Sequence, residues 1–200
     1  MQLNDALSQI SEIRRQMAEA NVFRGYRSLT VGFSGVLAIV AAGVQPILAP
    51  DPSRDIASYL TLWVGIAVLS IGALAVEMIL RGSRSSLAAK MTVLAVELFL
   101  PCLVAGALLT FVLVRFVPES AWMLPGLWAI LVSLGGYASG RVLPRPLFWA
   151  AGFYLIAGCL CLIYAKGANA FSPWSMGLTF GCGQILTAAI LYWTLERRHG

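Results

Sequence analysis

Apolar positions change their rhythm once along the chain. Over residues 3 to 20, Leu3, Ala6, Ile10, Ile13, Met17 and Ala20 recur at intervals of three and four, while Asn4, Asp5, Ser11, Glu12, Arg15 and Glu19 fall outside that stripe. This spacing predicts an amphipathic helix. From residue 28 the alternation gives way to apolar runs of about 20 positions, enough to cross about 30 Å of hydrocarbon at about 1.5 Å per residue. Six such runs fall roughly at 29–48, 58–80, 91–114, 121–140, 147–165 and 174–195. The links between them are short and rich in helix breakers: "APDPSRD", "RGSRSS", "RFVPES", "RVLPRP" and "KGANAFS". Backbone polar groups must pair internally in lipid, and runs of this length pair as helices rather than as barrel strands. The predicted fold class is an all-α integral membrane protein. A six-helix transmembrane bundle over residues 28–200 follows an amphipathic helix and a membrane-entering seam over residues 1–27.

Composition agrees, with 59% hydrophobic and 12% charged residues. The basic residues add an orientation. Six spans put both termini on one side, which carries Arg14, Arg15, Arg24, Arg27, Arg81, Arg84, Lys90, Arg141, Arg145, Arg197 and Arg198, against Arg54, Arg115 and Lys166 opposite. An asymmetry of eleven to three predicts cytoplasmic termini and a cytoplasmic amphipathic helix. Tyr59, Trp63, Trp122 and Trp174 then fall toward the outer helix ends and Trp149 and Trp193 toward the inner face, as an interfacial aromatic belt would. The first 27 residues are polar and lack the early apolar core of a secretory signal, so the first span is expected to serve as the targeting element. The net charge of +5 lies beside helix ends, where lipid headgroups account for it and no nucleic-acid partner is needed.

The apolar stripe centred on Ile10, Ile13 and Met17 has three candidate uses: a coiled-coil seam with a second copy or another protein, a docking face for the chain's own loops, and a strip on the headgroups. In the seam "FRGYRS", Phe23 and Tyr26 suit the membrane interface, Arg24 and Arg27 reach phosphates, and Gly25 lets the helix bend. A plain membrane-entry anchor is the favoured reading of these residues, ahead of a dedicated lipid site. With "SEIRRQM" before it and six spans after it, this seam resembles a group of bacterial six-span inner-membrane proteins that share an EIRxQM…FRGYR motif. The resemblance implies a multi-pass protein of the bacterial inner membrane and brings no activity, cofactor or catalytic residue with it.

Candidate chemistry is sparse. The single histidine, His199, lies beside the C-terminus, away from any span where a triad, haem or zinc site would need it. Cys102, Cys159, Cys161 and Cys182 lie within spans without C-x-x-C spacing and are expected to pack as small apolar groups. No metal, cofactor or enzymatic activity is therefore expected. The pairs Gly32 with Gly35 and Gly136 with Gly140 suit close helix packing. Trp128 and Trp174 each begin W-x4-[ST]-x-G, partly echoed around Ser70, which either duplicated hairpins or a shared packing need would produce.

Two acids lie inside spans. Glu77 precedes Arg81 by four residues, the favourable order for a helical ion pair. Glu97 lies seven residues past Lys90, and Pro101 deprives its carbonyl of the usual helical donor. Glu97 with Glu77 is the candidate path for a proton or cation. The competing reading is a lock, with Glu97 protonated or paired to Arg81 or Arg84 across the second and third helices. Gln45 and Gln184 are further polar candidates. Three function classes follow in order: a non-enzymatic assembly or regulatory subunit that recruits a partner through residues 3–20, a small transporter or channel using Glu97, and a lipid-acting enzyme. The third lacks an assembled nucleophile, base and metal.

Overall fold

A computed structural model describes residues 28–81, 86–141 and 145–196. The expected amphipathic helix and seam, with Ile10, Ile13, Met17, Phe23, Arg24, Tyr26 and Arg27, lie outside the described residues. Six long helices carry the fold: α1 (Ser28–Leu48), α2 (Ile56–Arg81), α3 (Ser86–Phe116), α4 (Leu124–Ala138), α5 (Leu147–Tyr164) and α6 (Pro173–Leu191). A 3-10 turn, Pro118–Met123, extends α4 backward, and a π turn, Tyr192–Glu196, extends α6 forward. No strand occurs among the described residues. Each helix, α4 and α6 with these turns, is long and apolar enough to cross a bilayer, so the chain is a multi-pass helical membrane protein. The face where α1 begins is termed the near face, and that where it ends the far face.

The helices start and stop where the sequence supplies the chemistry. At the start of α2, the Ser58 backbone N–H donates to Asp55 Oδ1 at 3.3 Å and the Ser58 hydroxyl donates to Oδ2, which caps the helix. These two donors hold the Asp55 carboxyl below the usual carboxylate range. The cap is thus complete at neutral pH and is lost only as pH falls through that lowered value. Pro173 opens α6, where its missing N–H costs nothing. Both α2 and α3 run past the expected spans toward the near face, because helical hydrogen bonding continues into water after the apolar run ends. Helix α3 remains one helix through Pro101.

The first and last helices, α1 and α6, share the most extensive contact in the bundle. From that pair the arrangement runs α6 to α5 to α4 to α3 on one side and α1 to α2 on the other, while α2 and α3 barely meet. The bundle is an arc with its two ends, α2 and α3, largely exposed. Lipid tails are as apolar as leucine, so helices gain little by burying apolar surface and associate where backbones approach closely. Gly35 and Gly181 allow that approach between α1 and α6: a Cβ on Gly35 would lie 2.9 Å from the Gly181 carbonyl oxygen. Gly126 and Gly158 do the same between α4 and α5, where a Cβ on either would lie 2.8 Å from the other's carbonyl oxygen. Of the glycines picked out by spacing, Gly35 belongs to the first seam and Gly136 meets Ala151, while Gly32 makes an ordinary contact with Ala188 and Gly140 meets Phe148.

The W-x4-[ST]-x-G echo maps onto this packing. Ser133 with Gly135 on α4 and Thr179 with Gly181 on α6 are buried at helix contacts, whereas Gly72 of the partial third copy on α2 has nothing near it. A shared packing need is thus present in both full copies.

Gly158→Ala should destabilise the bundle by about 1–3 kcal/mol, because the clash is with backbone and the helices must separate. Gly65→Ala, in open space on α2, should be neutral or stabilising by up to about 1 kcal/mol. Thermal unfolding of the two variants in detergent separates these outcomes, and equal losses would show that the seam does not constrain the fold.

Candidate functional site

The polar candidates within the spans, Gln45, Gln184 and the two acids, fall into three separate places. The first is a buried cluster near the far face. Gln45, on α1 just before Pro46, is 2% exposed. Its Nε2 donates to the Phe171 carbonyl oxygen at 2.9 Å, and its Oε1 accepts from Trp63 Nε1–H at 2.9 Å. One amide therefore ties α1, α2 and the segment preceding α6. Phe171 has φ 58°, a left-handed conformation that costs a non-glycine residue roughly 1–2 kcal/mol. Its ring meets Tyr59 edge-on with centroids 5.0 Å apart, and that contact with the Gln45 hydrogen bond holds the conformation in place. Tyr59 and Trp63 are thus buried at 0% and 3% exposure and form part of the core, not of an interfacial belt. The belt expectation fits the other positions: Trp149, Trp174 and Trp193 are exposed, and Lys166 Nζ lies 5.5 Å from the ring centroid of the half-buried Trp122.

The second place is a cleft of about 420 Å³ between α2 and α3, backed by α1, α4 and α6. Its walls are mainly apolar and aromatic, with Phe99, Leu103, Leu131, Met176 and Phe180 among them. Toward its far end, Trp128 Nε1–H donates to Thr110 Oγ1 at 2.9 Å, and the Thr110 hydroxyl donates to the Gly106 carbonyl at 2.7 Å. The Ser34 hydroxyl donates to its own helix at Val31 O, 2.7 Å away. Ser70 and Gln184 also line the cleft, and among the described residues neither side chain makes a hydrogen bond. Gln184 was visible in the sequence as a polar residue within a span. Ser70 was visible only through the echo around it.

The third place is the near end of α2 and α3, which carries the two acids. Glu77 is half-buried on α2, about 9 Å beyond Ile71, where the cleft lining on that helix ends. Glu97 is exposed. At 100° per residue it points about 150° away from the stripe of α3 that lines the cleft, and it makes no hydrogen bond or ion pair among the described residues. Neither acid lines the cleft, and the structure does not join them into a path through it. The Arg81 side chain and all of Arg84 lie outside the described residues, so the expected pairings with Glu77 and Glu97 do too.

The four cysteines form no disulfide. Cys161 Sγ lies 3.4 Å from Thr179 Oγ1 and 3.6 Å from the Ser175 carbonyl, a contact between α5 and α6. Among the described residues no three His, Cys, Asp or Glu side chains gather at one point.

The fold and these sites define a polytopic helical membrane protein with an intramembrane cleft. No protein-family model, curated protein or solved structure matches the chain.

Gln45→Leu would leave the Trp63 N–H and the Phe171 carbonyl buried without partners, at about 1–3 kcal/mol each. Tyr59→Phe removes a hydroxyl that has no hydrogen-bond partner among the described residues and should be neutral or slightly stabilising. Melting temperatures in detergent should fall clearly for the first variant and hold or rise for the second. A Gln45→Leu protein as stable as the parent would show that the cluster does not tie the three segments together.

Proposed function

We propose that the chain is a non-enzymatic protein of the bacterial inner membrane, an assembly or regulatory subunit that engages its partner through the stripe at residues 3–20. The observation that carries this reading is the scatter of intramembrane polar groups: the Gln45 cluster and the Trp128–Thr110 pair tie helices to one another, and both acids lie off the cleft. A proton or cation path needs its ionisable groups to converge on a hydrated route. Glu97 on an exposed helix face is better suited to the headgroup boundary or to a neighbouring protein.

Both termini are cytoplasmic on this proposal, supported by the eleven-to-three distribution of basic residues. A cysteine at Ser53, on a background lacking the four native cysteines, should react with an impermeant maleimide added outside, and one at Ser85 should not. The reverse pattern would invert the topology and place the stripe outside.

The test of function has two arms. In gently solubilised membranes the parent should migrate as part of a larger particle, and Ile10→Asp with Ile13→Asp should release it. A parent that migrates alone would count against the subunit reading. In proteoliposomes, parent and Glu97→Gln should both show no proton or cation flux above empty vesicles. Flux in the parent that Glu97→Gln abolishes would replace the proposal with the transporter reading.

A further inference from the structure

Gln184 stands at the middle of its span, eleven residues after Pro173 and ten before Thr194, or about 16 and 15 Å along the helix axis. Its side chain is too short to snorkel over either distance. It lines the cleft and makes no hydrogen bond among the described residues, which leaves two N–H donors and a carbonyl in an apolar setting. Such a group is costly until something at the same depth pairs with it. Hydroxyls in the spans have another outlet: those of Ser34, Thr110, Thr187 and Thr194 donate to carbonyls of their own helices, and Ser70 can turn to its own in the same way. The amide, with three sites to fill, has no such outlet. The cleft around it is central too, since Ala67, Ala107 and Trp128 all lie within about 3 Å of the middle of their spans. Its rim residues Val64, Val68 and Leu103 are exposed, and α2 and α3 barely meet, so it opens sideways into hydrocarbon.

We propose that this cleft binds one uncharged ring compound dissolved in the bilayer, a ketone or quinone without a charged headgroup, whose carbonyl accepts from the Gln184 amide at mid-depth. A phospholipid cannot be that partner, because its ester groups stay at the hydrocarbon boundary, about 15 Å from the middle. A charged amphiphile is held there too. A bare hydrocarbon tail would fill the cleft and leave the amide unpaired. A water needs two to four polar partners, and the Trp128 N–H and the Ser34 and Thr110 hydroxyls have already spent their donors within the protein. Unpaired N–H groups are the greater deficit, and a carbonyl oxygen fills it without adding a donor of its own. Trp63, Phe99, Trp128 and Phe180 give the walls flat faces, which favour a ring over a flexible chain. The volume of about 420 Å³ is within the range of about 300–1,000 Å³ that holds a small organic ligand. This site does not involve the stripe at residues 3–20, so it stands or falls separately from the subunit reading.

The probe is menadione, a methylated naphthoquinone that quenches tryptophan on contact. It is added to proteoliposomes of the full chain carrying Trp149→Phe, Trp174→Phe and Trp193→Phe, so that Trp63 and Trp128 of the cleft wall supply the fluorescence together with Trp122. Quenching should saturate at one menadione per chain. Methylnaphthalene, which has the same rings without the oxygens, should compete about tenfold more weakly, a difference of about 1.4 kcal/mol. Gln184→Leu keeps the side-chain volume, and it should weaken menadione about tenfold and abolish its advantage over the hydrocarbon. Ala67 and Ala107 line the cleft from its two edges and are exposed, so Ala67→Phe with Ala107→Phe should weaken both probes. Leu108→Phe, on the exposed face of α3, should change neither. Comparing the two probes needs no substitution in the cleft, which preserves the test if a cleft variant does not fold. Quenching that does not saturate, as a cleft closed by a second copy of the chain would give, would overturn the proposal. So would equal competition by the hydrocarbon, or undiminished binding of menadione to Gln184→Leu.

Discussion

Close backbone approach between the first and last helices is the constraint from which the rest of the architecture follows. In water, two apolar helices are driven together by the surface they remove from solvent. In a bilayer that drive is absent, and what remains is dispersion between closely fitted surfaces and a few hydrogen bonds. Only glycine lets the backbones of α1 and α6 come as near as Gly35 and Gly181 bring them. Once those helices are joined, every intervening helix must be laid out between them. The second glycine contact, Gly126 with Gly158, fixes α4 on α5.

The two tight pairs also dictate where packing is loose. Helix α2 carries Gly65 and Gly72 with nothing near either, and most of its surface and that of α3 faces outward. They are attached at their edges, α2 through the Gln45–Trp63 hydrogen bond and α3 through Phe99 against Gly135 and Thr110 against Trp128. Each is attached to the bundle on one side only, which leaves a wedge between them, and the wedge is the cleft. Its lining is mainly apolar: the Trp128–Thr110 pair holds one edge in place, and Ser34 bonds to its own helix. Ser70 and Gln184 also line it, and neither makes a hydrogen bond among the described residues.

Periodicity was sufficient to read the number, type and order of the transmembrane helices, because a stretch of about 20 apolar residues has few other uses. It placed helix ends to within a few residues, and the differences arise where polar residues continue a helix beyond the bilayer, as at the near end of α3. Composition could not say which helices touch. The α1–α6 pairing joins residues some 140 positions apart through glycines that look no different from the idle Gly65. Gln45 was recognisable as a polar residue in a span, but its partners were not: one is a backbone carbonyl in a loop, and the other is a tryptophan whose position near a helix end suggested an interfacial role. Phe171 gave no sign of its left-handed backbone, since that conformation is imposed by contacts from two other segments.

The two acids show how helix direction decides what depth alone does not. Side chains lean toward the N-terminus of their own helix. Helix α3 begins at the near face, so the carboxyl of Glu97, three residues inside an apolar stretch that begins at Leu94, leans outward to the headgroups and can snorkel to water. Helix α2 ends at the near face, so Glu77 leans the other way, back into the bundle. Counting residues from the nearest basic group makes Glu97 the deeper of the pair, yet Glu97 is exposed and Glu77 is half-buried. The helix that carries an acid toward its own C-terminal end turns it inward, and for this bundle that makes Glu77 the carboxyl held more closely by its surroundings.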